Sequence, residues 1–214
     1  EPGDLAAAGP RGDPLLVAYI VNWGAYALAT GPHRVFDAPF YHPSPNTLSL
    51  SEHLLSVSWP FAPLAAFDRP LLLYNATVFA SFFLSAFFFY LYLRRIGCSA
   101  IPAWFGGMLF SFTPWRYAQL GPAQLGYTWW IPLTLLAIEI WLERPRVAAA
   151  LAAGIGIGFV FEASVYHGYF FAFFLLAYLA VRLLFGRRNW TGRRLLAHGL
   201  VGVAAAAVVL APSF

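Results

Sequence analysis

The sequence is poor in charge and in cysteine. Only 10% of its 214 residues are charged, whereas an ordinary globular domain carries about 25%. All 13 basic residues are arginines, and they are scattered along the chain. This scatter argues against nucleic-acid binding, because nucleic-acid binders gather their basic residues on one face. Cys98 is the single cysteine, which excludes a disulfide framework and a cysteine-based metal site.

The sequence is instead rich in apolar residues, which make up 60% of it, and in aromatic residues, which make up 19%. About 20 apolar residues in a helix cross a hydrocarbon layer of about 30 Å. The runs that reach or approach this length predict an all-α polytopic membrane helix bundle over 70–214, with six crossings at 70–93, 99–113, 124–142, 147–161, 168–185 and 195–212.

Residues 1–69 predict a loop outside the membrane that carries two interfacial helices. The first spans 14–30, with Asp13 as its N-cap and Pro14 at its first position, where both residues are favourable. Its tyrosines, Asn22 and Trp23 suit the headgroup layer. The second spans 51–59: it begins at Ser51, with Glu52 in its first turn, and is broken at Trp59-Pro60.

The arginines indicate which side of the membrane each loop faces. Loops on the cytoplasmic side carry an excess of Arg and Lys. If 1–69 lies outside, the inner loops hold nine arginines: Arg94, Arg95, Arg144, Arg146, Arg182, Arg187, Arg188, Arg193 and Arg194. The outer segments hold four: Arg11, Arg34, Arg69 and Arg116. We therefore expect a multi-pass protein of the plasma (inner) membrane whose first loop is extracytoplasmic.

The two ends of the sequence suggest a piece of a longer protein. It begins at Glu1 without a basic and apolar leader, and it stops at Phe214 directly after an apolar run. We expect the chain to be incomplete at both ends, or to be a processed product.

Several short motifs resemble a known family. They are Gly12-Asp13-Pro14, Asn22-Trp23, Phe36-Asp37-Ala38-Pro39-Phe40-Tyr41, Pro45-Asn46-Thr47-Leu48, Ser51-Glu52-His53-Leu54-Leu55, Phe112-Thr113-Pro114-Trp115-Arg116-Tyr117 and Tyr166-His167-Gly168-Tyr169. The pattern resembles bacterial multi-pass glycosyltransferases of the GT-C type, which include protein mannosyltransferases and enzymes that decorate lipid A. The resemblance implies transfer of a sugar from a polyprenyl-phosphate carrier to a glycan, lipid or protein acceptor on the extracytoplasmic side.

Several residues of these motifs are candidates for the chemistry, and the resemblance implies the role of the first of them. An early acidic residue of the first outer loop, here Asp13, would be the general base, although it also suits a plain helix cap. Glu52 would be a second acidic catalytic group beside His53, although both also suit a structural role. Arg116 would bind the donor phosphate, a geometry that guanidinium groups favour; its alternative is a side chain that snorkels to the membrane surface between Trp115 and Tyr117.

Further outer residues complete the predicted site. Glu162 and His167 would line the same cavity, and the remaining substrate-binding candidates are Tyr117, Gln124 and Tyr166. No cofactor is implied. A divalent ion held by Asp13, His42, Glu52 and His53 is an alternative, but their spacing matches no established metal motif.

Two other functions remain open at this point. A transporter or flippase of lipid-linked glycan would carry ionisable residues deep in several spans, and only Glu139 fits that pattern. Glu139 either snorkels inward or meets a partner in the missing half of the protein. A non-catalytic membrane scaffold is the other alternative.

Overall fold

The computed structural model describes residues 12–41, 43–119, 123–185 and 192–211. Every regular element in these ranges is helical, which confirms the predicted all-α class. Segments of 3-10 helix join several of the α-helices. The α-helices are α1 (Gly12–Thr30), α2 (Leu55–Ser58), α3 (Pro70–Arg95), α4 (Ala100–Ser111), α5 (Pro114–Ala118), α6 (Trp130–Glu143), α7 (Val147–Ala163), α8 (Val165–Phe185) and α9 (Gly192–Leu210).

Among the described residues, three helical segments are long and apolar enough to cross a membrane, as expected of a membrane protein. They are Pro70–Arg95, Ala123–Glu143 and Val165–Phe185, with 26, 21 and 21 residues. The other predicted crossings are also helical but shorter. The 12 residues of α4 span only about 18 Å at about 1.5 Å per residue. This helix ends early because Thr113 is extended, the conformation favoured before a proline such as Pro114.

Side-chain hydrogen bonds join the helices at two opposite ends of α6. At one end, Arg95 Nη2 donates a hydrogen bond of 2.6 Å to Glu143 Oε2, which joins the ends of α3 and α6. At the other end, Ser56 Oγ donates to the carbonyl of Phe159 at 2.9 Å, and Trp130 Nε1 donates to the carbonyl of Ser56 at 3.2 Å. We call these the Arg95 end and the Ser56 end.

Helix α1 forms a layer against the start of α3 and the 3-10 segment Trp59–Phe67. Asn22 Nδ2 donates to the carbonyl of Pro70 at 3.0 Å. Gly24 lies so close to Ser58 that a Cβ atom there would be 2.7 Å from the Ser58 hydroxyl. Helix α1 is not among the three membrane-crossing candidates. The prediction that it lies along the membrane surface stays a prediction.

Two predicted helix starts differ from the structure. Helix α1 begins at Gly12, so that Asp13 lies in its first turn rather than at the cap. Helix α2 begins at Leu55 rather than Ser51, because Leu54 adopts a left-handed conformation with φ of 51°. Glu52 therefore precedes the helix. Trp59-Pro60 does not end this helical stretch but converts it into the 3-10 segment.

Buried hydroxyl groups lie near the middle of α3. Ser81 and Ser85 are almost completely buried. Ser81 Oγ donates to the carbonyl of Gly126 at 2.6 Å, and Ser85 Oγ lies 3.0 Å from Thr128 Oγ1. The chain that leads into α6 therefore reaches half-way along α3. Arg116 lies at this level, inside the protein.

Candidate functional site

Arg116 is turned into the protein and is only 2% exposed. It lies on the short helix α5, which Pro114 begins. Its Nη1 donates to the carbonyl and the hydroxyl of Ser111 at 3.2 and 3.1 Å. Its Nη2 donates to Ser81 Oγ at 2.6 Å and to the carbonyl of Gly126. The snorkelling alternative is therefore wrong for this side chain.

The positive charge of Arg116 has no carboxylate partner in the described part of the chain. Burial lowers the pKa of its guanidinium to about 10, so that the group is still charged at neutral pH. Its Nε is buried without a hydrogen-bond acceptor. The ring of Phe82 lies 4.4 Å from the guanidinium carbon and offers a cation–π contact. The guanidinium is therefore surrounded by hydroxyls, carbonyls and an aromatic ring. A buried cation in such surroundings can pair with an anionic ligand.

An apolar groove of about 840 Å³ runs beside this charge between α3 and α4. Phe82 lines the groove and also covers the Arg116 guanidinium, and Tyr117 lines its wall with a ring 5.7 Å from that of Phe82. The side chains that line the groove are apolar or aromatic. Such a lining favours a hydrocarbon ligand. Its other walls are Val78, Phe79, Phe83, Ala86, Phe87, Tyr90, Trp104, Met108 and Phe112.

A cluster of carboxylates and histidine lies at the Ser56 end. Glu52 Oε1 accepts a hydrogen bond of 3.0 Å from Ser164 Oγ, and Glu52 Oε2 is buried without a hydrogen-bond partner. Burial raises the pKa of Glu52 above its ordinary value of 4.5, against the lowering effect of Ser164. His53 Nδ1 lies 3.0 Å from Glu162 Oε2. The structure thus brings together Glu52, His53 and Glu162.

His167 follows this cluster in the sequence. It lies one helical turn after Ser164, in the first turn of α8, where Gly168 N donates to the carbonyl of Ser164 at 3.0 Å. The positive charge of Arg116 is close enough to act on the His167 ring. The ring atom Nδ1 is buried without a hydrogen-bond partner. Ser164, which donates to Glu52, and His167 thus lie within one turn of each other at the start of α8.

The other predicted site residues differ in their surroundings. Asp13 is exposed, and its side chain forms no hydrogen bond or ion pair with the described residues. Tyr117 and Tyr166 are 53% and 62% exposed, and Gln124 Oε1 is buried without a hydrogen-bond partner. His42 lies outside the described residues. Within the described residues, no three His, Cys, Asp or Glu side chains gather as metal ligands.

The structure also assigns a partner to Glu139. Arg182 Nε and Nη2 donate to its two carboxylate oxygens at 2.9 and 2.5 Å, and Tyr178 donates a third hydrogen bond. Tyr92 OH donates to Tyr178 OH at 3.1 Å. Neither sequence alternative for Glu139 included this pairing. A charged residue within each of two apolar runs was the signal for it.

No protein-family model matches the chain, and no significant similarity was found to a curated protein or a solved structure.

Proposed function

We propose that this chain belongs to a membrane glycosyltransferase that moves a sugar from a polyprenyl-phosphate carrier to an extracytoplasmic acceptor. The observation that carries the proposal is the buried charge of Arg116, which lacks a carboxylate partner among the described residues and lies beside an apolar groove. A lipid phosphate has both an apolar part that fits the groove and an anionic part that fits Arg116. Its hydrocarbon chain suits the groove, and its phosphate suits the guanidinium.

In the proposed reaction, a carboxylate of the site removes the proton from an acceptor hydroxyl. The acceptor oxygen then forms a bond to the anomeric carbon of the donor sugar, and the bond from that carbon to the phosphate oxygen breaks. The electron pair of the broken bond leaves with the polyprenyl phosphate. Arg116 offsets the negative charge that develops there, which is the usual task of a buried cation in such a site.

Two carboxylates are candidates for the base. Asp13 is the candidate that the family resemblance implies. Glu52 is the candidate that the surroundings favour, because it lies in the cluster with His53 and Glu162 and because burial raises its pKa. A base with a raised pKa is closer to the operating pH, where proton transfer is most efficient. We therefore propose Glu52 as the base, with Asp13 as the alternative.

The proposed orientation has the Ser56 end outside and the Arg95 end in the cytoplasm, with six crossings over 70–214. It predicts that residues 1–69 and the turns near 116 and 165 are extracytoplasmic, whereas 94–98, 143–146 and 186–194 are cytoplasmic. A membrane-impermeant thiol reagent applied to intact cells tests it. The variant Ser44→Cys should react at once, whereas the native Cys98 should react only after permeabilisation; the reverse order would refute the orientation.

Transfer itself is tested in proteoliposomes with a radiolabelled polyprenyl-phosphate sugar. The variant Arg116→Gln should lower the rate by roughly 10²- to 10³-fold, the usual cost of losing one group that stabilises developing negative charge. The matched control Arg116→Lys keeps a positive charge and should retain more activity than Arg116→Gln. Equal rates in the wild type and in Arg116→Gln would refute the proposed role of this residue.

A further inference from the structure

A second pocket, of about 240 Å³, lies on the layer formed by α1, between one face of that helix and the start of α3. It is smaller than the roughly 300–1,000 Å³ typical of sites for drug-sized ligands. It is distinct from the groove beside Arg116, with which it shares no lining residue. The side chains that matter here are Tyr19, Asn22, Trp23, Tyr26, Asp68 and Arg69.

Three aromatic residues of α1 form one wall of this pocket. Trp23 is held by a hydrogen bond of 2.8 Å from its Nε1 to the carbonyl of Val35. The ring of Tyr26 lies 6.0 Å from that of Trp23, and Tyr26 and Tyr19 are 53% and 38% exposed. Because an α-helix turns every 3.6 residues, the spacing of Tyr19, Trp23 and Tyr26 puts them on one face. This face offers aromatic surface to a ligand.

The pocket also carries polar groups with free hydrogen-bonding capacity: Asn22 from α1, and Asp68 and Arg69 from the residues just before α3. In the described part of the chain, the side chains of Asp68 and Arg69 form no hydrogen bond or ion pair. Asn22 uses its amide nitrogen on the carbonyls of Ala18 and Pro70, at 2.7 and 3.0 Å, which leaves its side-chain oxygen as an acceptor. Asp68 adopts a left-handed conformation with φ of 49°, directly before α3 begins. The carboxylate and the guanidinium cancel each other in net charge.

We propose that this pocket binds one sugar ring of a neutral saccharide. The apolar C–H face of a sugar stacks on aromatic rings, and its neighbouring hydroxyls match the paired oxygens of Asp68 and the parallel N–H groups of Arg69. The cancelled charges give an anion no advantage over a neutral polyol. In the transfer reaction, the pocket would bind part of the acceptor, so that the acceptor would be a saccharide. This role rests on the proposed function.

Binding is tested on the detergent-solubilised chain by saturation-transfer-difference NMR with methyl hexosides as probes. We expect a signal for at least one hexoside in the wild type. The variants Tyr26→Ala and Asp68→Asn should each weaken binding by about tenfold or more, as the loss of a stacking or charged contact does. Tyr169→Ala is the matched control, because Tyr169 is 61% exposed and lies on α8 outside the pocket; it should bind as the wild type does.

Two outcomes would overturn the proposal. One is the absence of a signal for every hexoside, or signals that Tyr26→Ala and Asp68→Asn leave unchanged. The other is a signal for phosphocholine alone that both variants abolish, which would assign the pocket to a zwitterionic lipid headgroup. Hexoside binding without any sugar transfer would refute the proposed function while leaving the pocket intact, so that the two failures are distinguishable.

Discussion

Two arginines of the described chain, Arg182 and Arg116, lie in opposite surroundings. At the Arg95 end, Arg182 faces Glu139 through two hydrogen bonds of 2.9 and 2.5 Å, and Glu139 is completely buried. Near the middle of α3, Arg116 is 2% exposed and meets hydroxyls, carbonyls and a ring but no carboxylate among the described residues. The opposite charges of Glu139 and Arg182 neutralise each other. The charge of Arg116 has no such partner among the described residues and is best explained by an anionic ligand.

Under the proposed function, the Glu139–Arg182 pair has a structural role and the region around Arg116 has a functional one. Breaking the Glu139–Arg182 pair should damage folding, because it leaves a buried charge without a partner. Changing the groups near Arg116 should damage activity more than folding, because their charges are not tied to one another. The predictions below probe the two regions in turn.

The largest effect is expected from Arg182→Met, which leaves the carboxylate of Glu139 buried without its cation. The free energy of unfolding in mixed micelles should fall by about 3–5 kcal/mol. The double variant Glu139→Gln/Arg182→Met should recover much of this loss, since no charge is then left unpaired.

The half-exposed pair Arg95–Glu143 is the matched control for this experiment. Arg95→Met should cost less than about 1 kcal/mol, because exposed ion pairs contribute little. Equal losses in Arg182→Met and Arg95→Met would show that the buried pair is not a structural tie.

The second largest effect is expected from Glu52, which lies in the proposed site. Glu52→Gln should lower the transfer rate by roughly 10²-fold or more, because the general base is lost. Burial raises the pKa of Glu52 above 4.5, so that the wild-type rate should fall as the pH drops through that raised value. In Glu52→Gln this acid limb should disappear from the pH–rate profile. An unchanged acid limb would remove Glu52 as the base.

The same raised pKa predicts the sign of a stability effect. The folded state favours the protonated form of Glu52, so that its ionisation costs stability. The wild type should therefore lose stability as the pH rises from the unfolded-state pKa through the folded-state pKa, and Glu52→Gln should lack this component. Thermal unfolding at several pH values measures it, and the opposite slope would contradict the assigned direction.

The smallest effect is expected from Asp13→Asn. Asp13 is exposed and lies in the first turn of α1, and Asn is tolerated near a helix start. If Glu52 is the base, transfer should fall by less than about tenfold, well below the roughly 10²-fold or greater loss of a general base. A loss as large as that in Glu52→Gln would return the role of base to Asp13.

The sequence predicts the local features of this fold well. The helix predicted at 70–93 spans 70–95 in the structure, because its apolar run and the closing arginines are visible in the sequence. The second interfacial helix is misplaced because Glu52 bonds to Ser164, 112 residues away, instead of joining the first turn.

The partners of the charged residues are what the sequence cannot supply. Arg116 is predicted near the membrane surface, but serines from α3 and α4 draw it inward. Glu139 meets Arg182 from a helix 43 residues further along the chain. Such contacts depend on how helices pack, which hydrophobic periodicity does not specify.

The central claim, that Arg116 holds a lipid phosphate beside the apolar groove, is tested most directly by comparing two ligands. Isothermal titration of the detergent-solubilised chain with farnesyl phosphate and with farnesol separates the contribution of the phosphate from that of the hydrocarbon chain. The wild type should bind the phosphate at least about tenfold more tightly, a difference of about 1.4 kcal/mol, and Arg116→Gln should bind both alike. Equal affinities for the two ligands in the wild type, or a phosphate preference that survives in Arg116→Gln, would contradict the claim.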